Sequence, residues 1–299
     1  MIKKFFAGCI IAACVASASA QWAPQSKIVT DSIKSEALNG AWRQFNVYIP
    51  ASFDANPTKT YPILYLLHGV LDTNRGWTER GHLKDVMDQL VASGEAEEMI
   101  IVTPNAGGDI AAGAWNGYFN MPGWNYEDFF FNEFMPYIEK TYRVKGDKTH
   151  RAIAGLSMGG GGTTSYAQRH PDMFGAVYAM SALMDVPEVP GQPAIDINAT
   201  DKWSILHRAV KEKSCIDYVK NADDETKAKL RTLQWFVDCG DDDFLLQRNI
   251  EFMQAMRDAW IPMQFRVRDG GHTWEYWHSA LYNALPFVSR YFLKANQAE

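Results

Sequence analysis

The sequence predicts an α/β fold with a mostly parallel sheet and helices on both of its faces. Residues 63–67 and 99–102 are continuous apolar runs, which is the pattern of strands buried on both faces of a parallel sheet. Apolar residues at helical spacing lie between these runs, and strand-like and helix-like segments then alternate to the end of the chain. In such a sheet, functional groups collect at the carboxyl ends of the strands.

The length of 299 residues and the hydrophobic content of 47% allow one large domain, and no repeat divides the chain. Residues 26–38 and 42–49 alternate between apolar and polar side chains, which predicts an opening antiparallel pair that Pro50 closes. After the strand at 63–67, the predicted elements are a helix over 83–91, a strand over 99–102, a helix over 125–142, a strand over 149–154, a helix over 163–170, a strand over 176–180, a strand over 233–237, a helix over 244–260, a strand over 263–267 and a helix over 274–293.

The first 20 residues have the pattern of a signal peptide. Two lysines precede an apolar run over 5–15, and small residues before a site near Ala20 fit cleavage there. We therefore expect a mature domain over 21–299 that is exported to the periplasm or to the outside of the cell. Lipoprotein processing, which would leave Cys14 acylated, is the alternative. No later segment is predicted to cross a membrane.

The charge of the chain argues against two kinds of partner. The formal charge of −6 would become −8 on loss of the two signal-peptide lysines. An acidic chain without a basic run is a poor candidate for binding nucleic acid or an anionic membrane surface.

The mature domain would keep two cysteines, Cys215 and Cys239. A disulfide and two separate buried thiols are both compatible with the sequence.

A serine between glycines is the central motif of the chain. In Gly155-Leu156-Ser157-Met158-Gly159 the glycines lie two residues before and two residues after the serine, between a predicted strand and a predicted helix. A sharp strand-to-helix turn presents a serine hydroxyl clear of the backbone only if its neighbours carry almost no side chain. Ser157 is therefore the candidate nucleophile, and it requires a base, an orienting acid and two donors for an oxyanion.

The acid and the base should follow Ser157 in that order, each after the end of a later strand. His272 is the candidate base because it directly follows the last predicted strand and precedes a helix. The acid should come from three consecutive aspartates after the preceding strand. Asp243 is preferred because it could also cap the next helix, and Asp242 is second. Asp185, which follows an earlier predicted strand, is the third candidate. A solvated loop or a calcium site is the other use of the three aspartates, but no further ligands at regular spacing accompany them, and no metal is expected.

The two oxyanion donors should be backbone N–H groups. One should come from Met158, the residue after the serine. The other should come from the loop that follows the strand at 63–67, where Val70, or next Leu71, would present its N–H group. We expect His68 in the same loop to be a structural side chain.

Tryptophans occur repeatedly in the loops at the same predicted edge of the sheet. An indole ring there can stack on a planar or sugar substrate, or it can fill the core. The candidate substrate contacts are Trp77, Trp115, Trp124 and Trp277.

Residues 185–231 fit neither a strand nor a tight turn. The segment begins with three prolines and continues with short stretches of helical pattern. An insertion of this length in a compact domain is usually a lid or a binding element, so we expect a cap over the site.

In combination, these motifs resemble the esterase family of α/β-hydrolases, which includes bacterial feruloyl and acetylxylan esterases, S-formylglutathione hydrolases and mycolyltransferases. The resemblance implies the α/β-hydrolase fold, Ser157, Asp243 and His272 as a catalytic triad, and Val70 and Met158 as oxyanion donors. It covers about 42–292 and rests on Tyr65-Leu66-Leu67-His68-Gly69, Trp77, the helix over 125–142, Gly155-Leu156-Ser157-Met158-Gly159-Gly160, Cys239-Gly240-Asp241-Asp242-Asp243, and Gly270-Gly271-His272 with Trp277.

The Gly-Gly-His motif followed by Trp277, together with the export signal, is most similar to the feruloyl and related carbohydrate esterases. The resemblance implies a secreted serine carboxylesterase that acts on feruloyl or acetyl esters of plant cell-wall polysaccharide without a cofactor. Acyl transfer and general short-chain ester hydrolysis are the alternatives within the family, and a non-catalytic carbohydrate-binding protein is the alternative of another class. The chain departs from the family pattern at Val70-Leu71-Asp72, where many feruloyl esterases have a further glycine pair.

Overall fold

The computed structural model describes residues 25–189 and 191–298. The predicted signal peptide and Cys14 lie outside these residues. The strands of the described chain are β1 Lys27–Ser35, β2 Ala41–Ile49, β3 Ile63–Leu67, β4 Ile100–Pro104, β5 Asn120–Met121, β6 Trp124–Asn125, β7 Arg151–Leu156, β8 Ala176–Met180, β9 Gln234–Gly240 and β10 Met263–Arg268.

Eight of these strands form one sheet, in the order β1-β2-β4-β3-β7-β8-β9-β10, and β5 pairs with β6 in a separate hairpin. The first two strands are antiparallel to each other, and β2 is also antiparallel to β4. Every other neighbouring pair in the main sheet is parallel. The predicted α/β fold with a mostly parallel sheet is confirmed.

The helices follow the predicted alternation with the strands. None of the helices in the described residues is long and apolar enough to cross a membrane. Their bounds are α1 Gly76–Glu79, α2 Leu83–Ser93, α3 Tyr126–Phe129, α4 Met135–Thr141, α5 Met158–Arg169, α6 Lys202–Glu212, α7 Cys215–Lys220, α8 Asp224–Leu230, α9 Leu246–Asp258 and α10 Trp274–Ala298, with a π-helical stretch at Phe130–Phe134 and a 3₁₀ turn at Lys148–His150.

Both faces of the sheet are buried under helices. Along β3, the side chains of Ile63, Tyr65 and Leu67 belong to one apolar cluster and those of Leu64 and Leu66 belong to another. The first cluster includes residues of α3, α4, α5, α7 and α9, and the second includes residues of α2 and α10. Because successive side chains of a strand point to opposite faces, a strand covered on both sides is apolar at every position, which explains the continuous apolar runs.

Helix α5 begins earlier than its sequence pattern predicts. It starts at Met158, directly after the serine turn, so that a run of four glycines lies inside the helix. These glycines let the helix approach the sheet. A Cβ atom at Gly159 would lie 2.5 Å from the carbonyl oxygen of His68, and one at Gly161 would lie 2.2 Å from that of Leu183. Tertiary packing therefore overrides the low helix propensity of glycine.

Residues 185–231 form α6, α7 and α8, and each of these helices begins with a side-chain cap. Asp201, Ser214 and Asp223 accept hydrogen bonds from backbone N–H groups of the first turns. Helix α6 packs against β5, and α7 packs against α5 and α9. The segment thus covers part of one face of the sheet.

The two cysteines of the described chain are free thiols, and both are buried. The disulfide that the sequence left open is therefore absent from this structure. Burial raises the pKa of Cys215 to about 12, so this thiol is uncharged at neutral pH.

Candidate active site

The turn between β7 and α5 holds Ser157 in an unusual backbone conformation. Its φ is +54° and its ψ is −120°, values that a residue with a side chain rarely adopts. The turn is fixed on both sides, because the Ser157 N–H donates to the Met180 carbonyl at 2.9 Å and the Ser157 carbonyl accepts from Leu183 at 2.9 Å. A Cβ atom at Gly155 would lie 2.5 Å from the carbonyl oxygen of Gly159, so the turn requires glycine there. The structure thus shows the strained strand-to-helix turn that the motif predicts.

Three side chains predicted from the sequence lie in one line of hydrogen bonds. His272 Nε2 lies 2.9 Å from Ser157 Oγ, and His272 Nδ1 lies 2.8 Å from Asp243 Oδ2 and 3.0 Å from Oδ1. An ionised carboxylate only accepts hydrogen bonds, so Nδ1 carries the proton and Nε2 is the nitrogen that accepts from the serine hydroxyl. The histidine is thereby oriented to take a proton from Ser157.

The environment of Asp243 keeps it charged. Its side chain has no exposure to solvent, and it accepts a hydrogen bond from the Leu245 N–H at 2.8 Å as well as from His272. Burial by itself raises the pKa of Asp243, but the hydrogen bonds from His272 and Leu245 outweigh it and hold the pKa below its ordinary value. Asp243 is therefore a carboxylate at neutral pH.

The other two candidate acids lie elsewhere. Asp242 is exposed. Asp185 is buried, but its carboxylate accepts from Ser214 Oγ at 2.6 Å and pairs with Lys211 at 3.1 Å. Of the three candidate acids, Asp185, Asp242 and Asp243, the structure brings only Asp243 to His272.

Two backbone contacts and one side chain join the loop of the acid to the loop of the histidine. The Asp241 N–H donates to the Arg268 carbonyl at 2.9 Å, and the Asp242 N–H donates to the Gly270 carbonyl at 3.1 Å. In return, the Gly270 N–H donates to Asp241 Oδ1 at 3.0 Å. A Cβ atom at Gly240 would lie 2.0 Å from the Gly270 carbonyl oxygen, so the two loops are in close contact. The aspartate run therefore holds the histidine loop, and no group of metal-binding residues occurs in the described part of the chain.

The loop after β3 lies directly beside the serine. A Cβ atom at Gly69 would lie 3.4 Å from the Cβ atom of Ser157. Neither the Val70 N–H nor the Met158 N–H donates a hydrogen bond within residues 25–189 and 191–298. Both groups are available to an external acceptor, so Val70 and Met158 stay the candidate oxyanion donors.

His68 is a structural side chain that holds this loop, as the sequence predicts. It is fully buried, its Nδ1 donates to the Gly69 carbonyl at 2.7 Å, and its Nε2 accepts from the Ala106 N–H at 2.9 Å. Burial lowers the pKa of His68, so the ring stays neutral and keeps both hydrogen bonds.

A cavity of about 240 Å³ opens at the serine. None of its lining residues comes from 185–231, so the structure does not place the expected cap over this cavity. The lining residues are Gly69, Val70, Leu71, Asp72, Arg80, Leu156, Ser157, His272, Trp274 and Trp277.

Two of the four candidate tryptophans are core residues. Trp77 is fully buried in α1 and donates from Nε1 to the Leu67 carbonyl at 3.0 Å. Trp124 is buried and donates from Nε1 to the Gly117 carbonyl at 2.9 Å. Neither ring is accessible to a bound molecule, so the prediction of substrate contact is wrong for both. Each indole is buried because a backbone carbonyl satisfies its N–H group.

The other two tryptophans differ in their relation to the site. Trp115 is half-buried beside Lys202, whose Nζ lies 4.7 Å from the ring centroid, and it does not line the cavity at the serine. Trp277 does line that cavity. It packs edge-on against His272 with the ring centroids 4.9 Å apart, and its Nε1 donates to Ser181 Oγ at 3.1 Å. Trp277 therefore also supports the histidine.

The structure adds residues that sequence reasoning missed. Phe244 packs on His272 with the ring centroids 4.6 Å apart. Ser181 is buried with a φ of +46° and anchors Trp277. Arg80 lines the cavity beside Trp274. Phe244 follows the aspartate run directly, which was the one available signal for it, whereas Arg80 and Ser181 belong to no recognisable motif.

Comparison with known proteins places this geometry in a family. The family model described as Esterase matches residues 35–288. A solved structure of a ferulic acid esterase is 67% identical with a TM-score of 0.85, over 90% of this chain and 99% of that chain. A solved S-formylglutathione hydrolase from Staphylococcus aureus has the same fold, at 23% identity and a TM-score of 0.69, over 89% of this chain and 99% of that chain.

Two curated relatives match in part. An endo-1,4-beta-xylanase/feruloyl esterase of Xylanibacter ruminicola is 33% identical over 157 residues, which are 50% of this chain and 21% of that protein. An acetyl esterase of Caldicellulosiruptor saccharolyticus is 23% identical over 171 residues, which are 54% of this chain and 63% of that protein. The match thus spans less than two thirds of the length of either relative. From the family match and the fold, the chain belongs to the esterase family of α/β-hydrolases.

Proposed function

We propose that the protein is a serine carboxylesterase that works through an acyl-enzyme on Ser157. The observation that carries the proposal is the unbroken line of hydrogen bonds from Ser157 Oγ through His272 to Asp243, at 2.9 and 2.8 Å, in a member of the esterase family. A nucleophile, a base and an orienting acid in hydrogen-bond contact are what nucleophilic acyl transfer requires.

The reaction proceeds in two halves. Ser157 Oγ attacks the ester carbonyl while its proton moves to His272 Nε2, and Asp243 stabilises the imidazolium through Nδ1–H. The carbonyl oxygen becomes an oxyanion, to which the N–H groups of Val70 and Met158 donate. The alcohol leaves with the proton from His272. Water then attacks the acyl-serine, gives its proton to His272, and the acid is released as the Ser157 hydroxyl is restored.

We propose feruloyl esters on plant cell-wall polysaccharide as the substrate, with acetyl esters as the alternative. The 67% identical structure is a ferulic acid esterase, and the Xylanibacter ruminicola relative is named a xylanase and feruloyl esterase. The cavity supports the choice, because Leu71, Trp274 and Trp277 offer apolar and aromatic surface to an aromatic acyl group. The relative named acetyl esterase supports the alternative.

A polysaccharide of the plant cell wall is too large to cross a cell membrane, so an enzyme that acts on it must be exported. The predicted signal peptide over 1–20 would supply it, and we propose that the mature chain acts in the periplasm or outside the cell.

The mechanism is tested by replacing the nucleophile. Ser157→Ala should lower kcat for an activated aryl ester by a factor on the order of 10⁶, because the acyl-enzyme is no longer formed. Ser165→Ala, in the same helix and outside the cavity lining, is the matched control and should keep most of the activity. Hydrolysis by Ser157→Ala near the wild-type rate would rule out the mechanism.

The acyl group is tested by a panel of methyl ferulate, acetylated xylan and short-chain aryl esters. A preference for methyl ferulate supports the feruloyl assignment, and a preference for acetylated xylan supports the alternative. Equal values of kcat/KM on all three would contradict both and leave a general esterase. Product analysis with an added alcohol acceptor distinguishes hydrolysis from acyl transfer.

A further inference from the structure

The loop that carries the Val70 N–H makes a turn with a costly backbone conformation. The Asp72 N–H donates to the Gly69 carbonyl at 3.3 Å, which closes a four-residue turn over 69–72. The third residue of this turn, Leu71, has a φ of +63° and an exposed side chain. A left-handed conformation at that position normally selects glycine, so leucine holds it only if the surroundings constrain the turn.

The constraint on the far side of the turn is an ion pair. Asp72 is buried, its Oδ1 accepts from the Thr73 N–H at 2.7 Å, and its Oδ2 lies 2.6 Å from a guanidinium nitrogen of Arg80. The carboxylate also packs tightly on α1, because a Cβ atom at Gly76 would lie 2.1 Å from Oδ2. Asp72 thus ties the end of the turn to both ends of α1, where Gly76 is the first residue and Arg80 follows the last.

Arg80 is itself held in place. Its guanidinium lies 4.7 Å from the ring centroid of Trp274, the first residue of α10, and Trp274 packs edge-on against Trp77 with the centroids 5.2 Å apart. A guanidinium stacked on an aromatic face while paired with a carboxylate has a fixed direction. The ion pair therefore joins the loop after β3 to the helix that follows His272.

We propose that Asp72 and Arg80 form a latch that positions the Val70 N–H toward the oxyanion. The proposal rests on the proposed function, since an oxyanion forms only if Ser157 attacks a carbonyl. The Val70 N–H makes no hydrogen bond in the described part of the chain, so the direction of this donor is set by the turn alone. His68 fixes the turn at Gly69, and the latch fixes it at Asp72. Asp72 and Arg80 are positioning residues that act through Val70.

The experiment measures three latch variants, which are Arg80→Gln, Asp72→Asn and the double variant that carries both substitutions. Arg75→Gln is the control. Arg75 is the matched control, because it also forms an ion pair beside α1, with Glu79, but does not line the cavity. Complete loss of one oxyanion donor costs about 10²–10³ in kcat. We expect the misdirected donor of each latch variant to lower kcat about 10- to 100-fold with KM little changed, and the double variant to be no worse than the single variants because both remove one interaction.

Three further readouts separate positioning from folding and binding. The Arg80 side chain is 53% exposed and that of Asp72 is 10% exposed, and in Arg80→Gln the Asp72 carboxylate still accepts from the Thr73 N–H, so Tm should fall by only a few degrees and the variant should remain folded at the assay temperature. Arg80→Lys keeps the charge and should recover part of the lost kcat. The rate of Ser157 labelling by a fluorophosphonate, whose phosphoryl oxygen occupies the oxyanion position, should fall in parallel with kcat.

A wild-type kcat for Arg80→Gln, or a higher KM with unchanged kcat, would overturn the latch. Strict additivity in the double variant would also overturn it. Failure of the proposed function itself has a different signature, because Ser157→Ala would then remain active whatever the latch variants do.

Discussion

Three consecutive aspartates have the same side chain and three different environments. Asp241 accepts a hydrogen bond from the Gly270 N–H, Asp242 is exposed, and Asp243 is buried against His272. A buried carboxylate stays ionised only where hydrogen-bond donors surround it. Asp243 has those donors, so its position, and not its type, makes it the orienting acid of the proposed triad.

This difference predicts unequal effects of one substitution at neighbouring residues. Asp243→Asn should lower kcat by about 10⁴, because an amide cannot hold the Nδ1–H tautomer that lets Nε2 accept from Ser157. Asp242→Asn should leave kcat within about two-fold of the wild-type value, since Asp242 contributes only its N–H to the histidine loop. Steady-state kinetics on an aryl ester measure both, and equal losses in the two variants would contradict the assignment.

At the residue scale, the sequence predicts Ser157 and His272 for the right reason, predicts Asp243 for a different reason than the structure shows, and does not predict the burial of Trp77. Chain order and strand ends locate Ser157 and His272, because an α/β sheet gathers its strand ends at one edge. Asp243 was preferred as a helix cap, yet its Oδ1 accepts from Leu245, which lies before α9, in a local side-chain turn. Burial of Trp77 could not be predicted, since a loop tryptophan is buried only when a backbone carbonyl is placed to accept from its N–H.

At the scale of elements, α5 shows how a helix of low propensity is stabilised by its packing. Its glycines carry no side chain into the ends of β3 and β8, and the helix begins at the residue after the nucleophile. The N–H groups of its first turn then point toward the serine, where the positive end of the helix dipole favours developing negative charge. Sequence patterns place the helix start later because they count glycine as a helix breaker.

The close approach of α5 predicts unequal losses of stability from adding a methyl group at two neighbouring glycines. At Gly161 the added Cβ would lie 2.2 Å from the backbone carbonyl oxygen of Leu183, whose own N–H is bonded to the Ser157 carbonyl at 2.9 Å, so Gly161→Ala should lower the free energy of unfolding by about 1–3 kcal/mol. At Gly162 the nearest atoms belong to the Tyr118 ring at 3.0 Å. That ring needs to move by only a few tenths of an ångström, and the higher helix propensity of alanine, about 1 kcal/mol, offsets the cost.

Urea unfolding of the two alanine variants measures this difference. The linear extrapolation gives both free energies with the wild-type protein as reference. A Gly161→Ala variant as stable as Gly162→Ala would show that α5 can move away from the segment after β8, and the packing account of the helix would be wrong.

At the scale of the whole molecule, the sequence predicts the sheet but not what surrounds the site. Continuous apolar runs reveal strands that are buried on both faces, so the order and type of the main elements follow from pattern alone. The placement of 185–231 does not follow, because α6 packs against β5 and α7 packs against α5 and α9 through contacts that no local pattern encodes. The serine cavity is bounded instead by the loop after β3 and the start of α10.

The fold brings four loops that are distant in sequence to one edge of the sheet, and the proposed chemistry depends on their meeting there. The loop after β3 offers the Val70 N–H, the turn after β7 offers Ser157, and the paired loops after β9 and β10 offer Asp243 and His272. In the proposed mechanism, the covalent bond between substrate and Ser157 is the event that requires all four.

That bond is the most direct test of the account. The wild-type protein is mixed with an aryl ester, quenched in acid within the first turnovers and digested, and the peptides are analysed by mass spectrometry. We expect the acyl mass on the peptide that contains Ser157, its loss on longer incubation as water releases the acid, and its absence in Ser157→Ala. Ester hydrolysis at the normal rate with no acyl group on Ser157, or with the acyl group on another residue, would contradict the central claim.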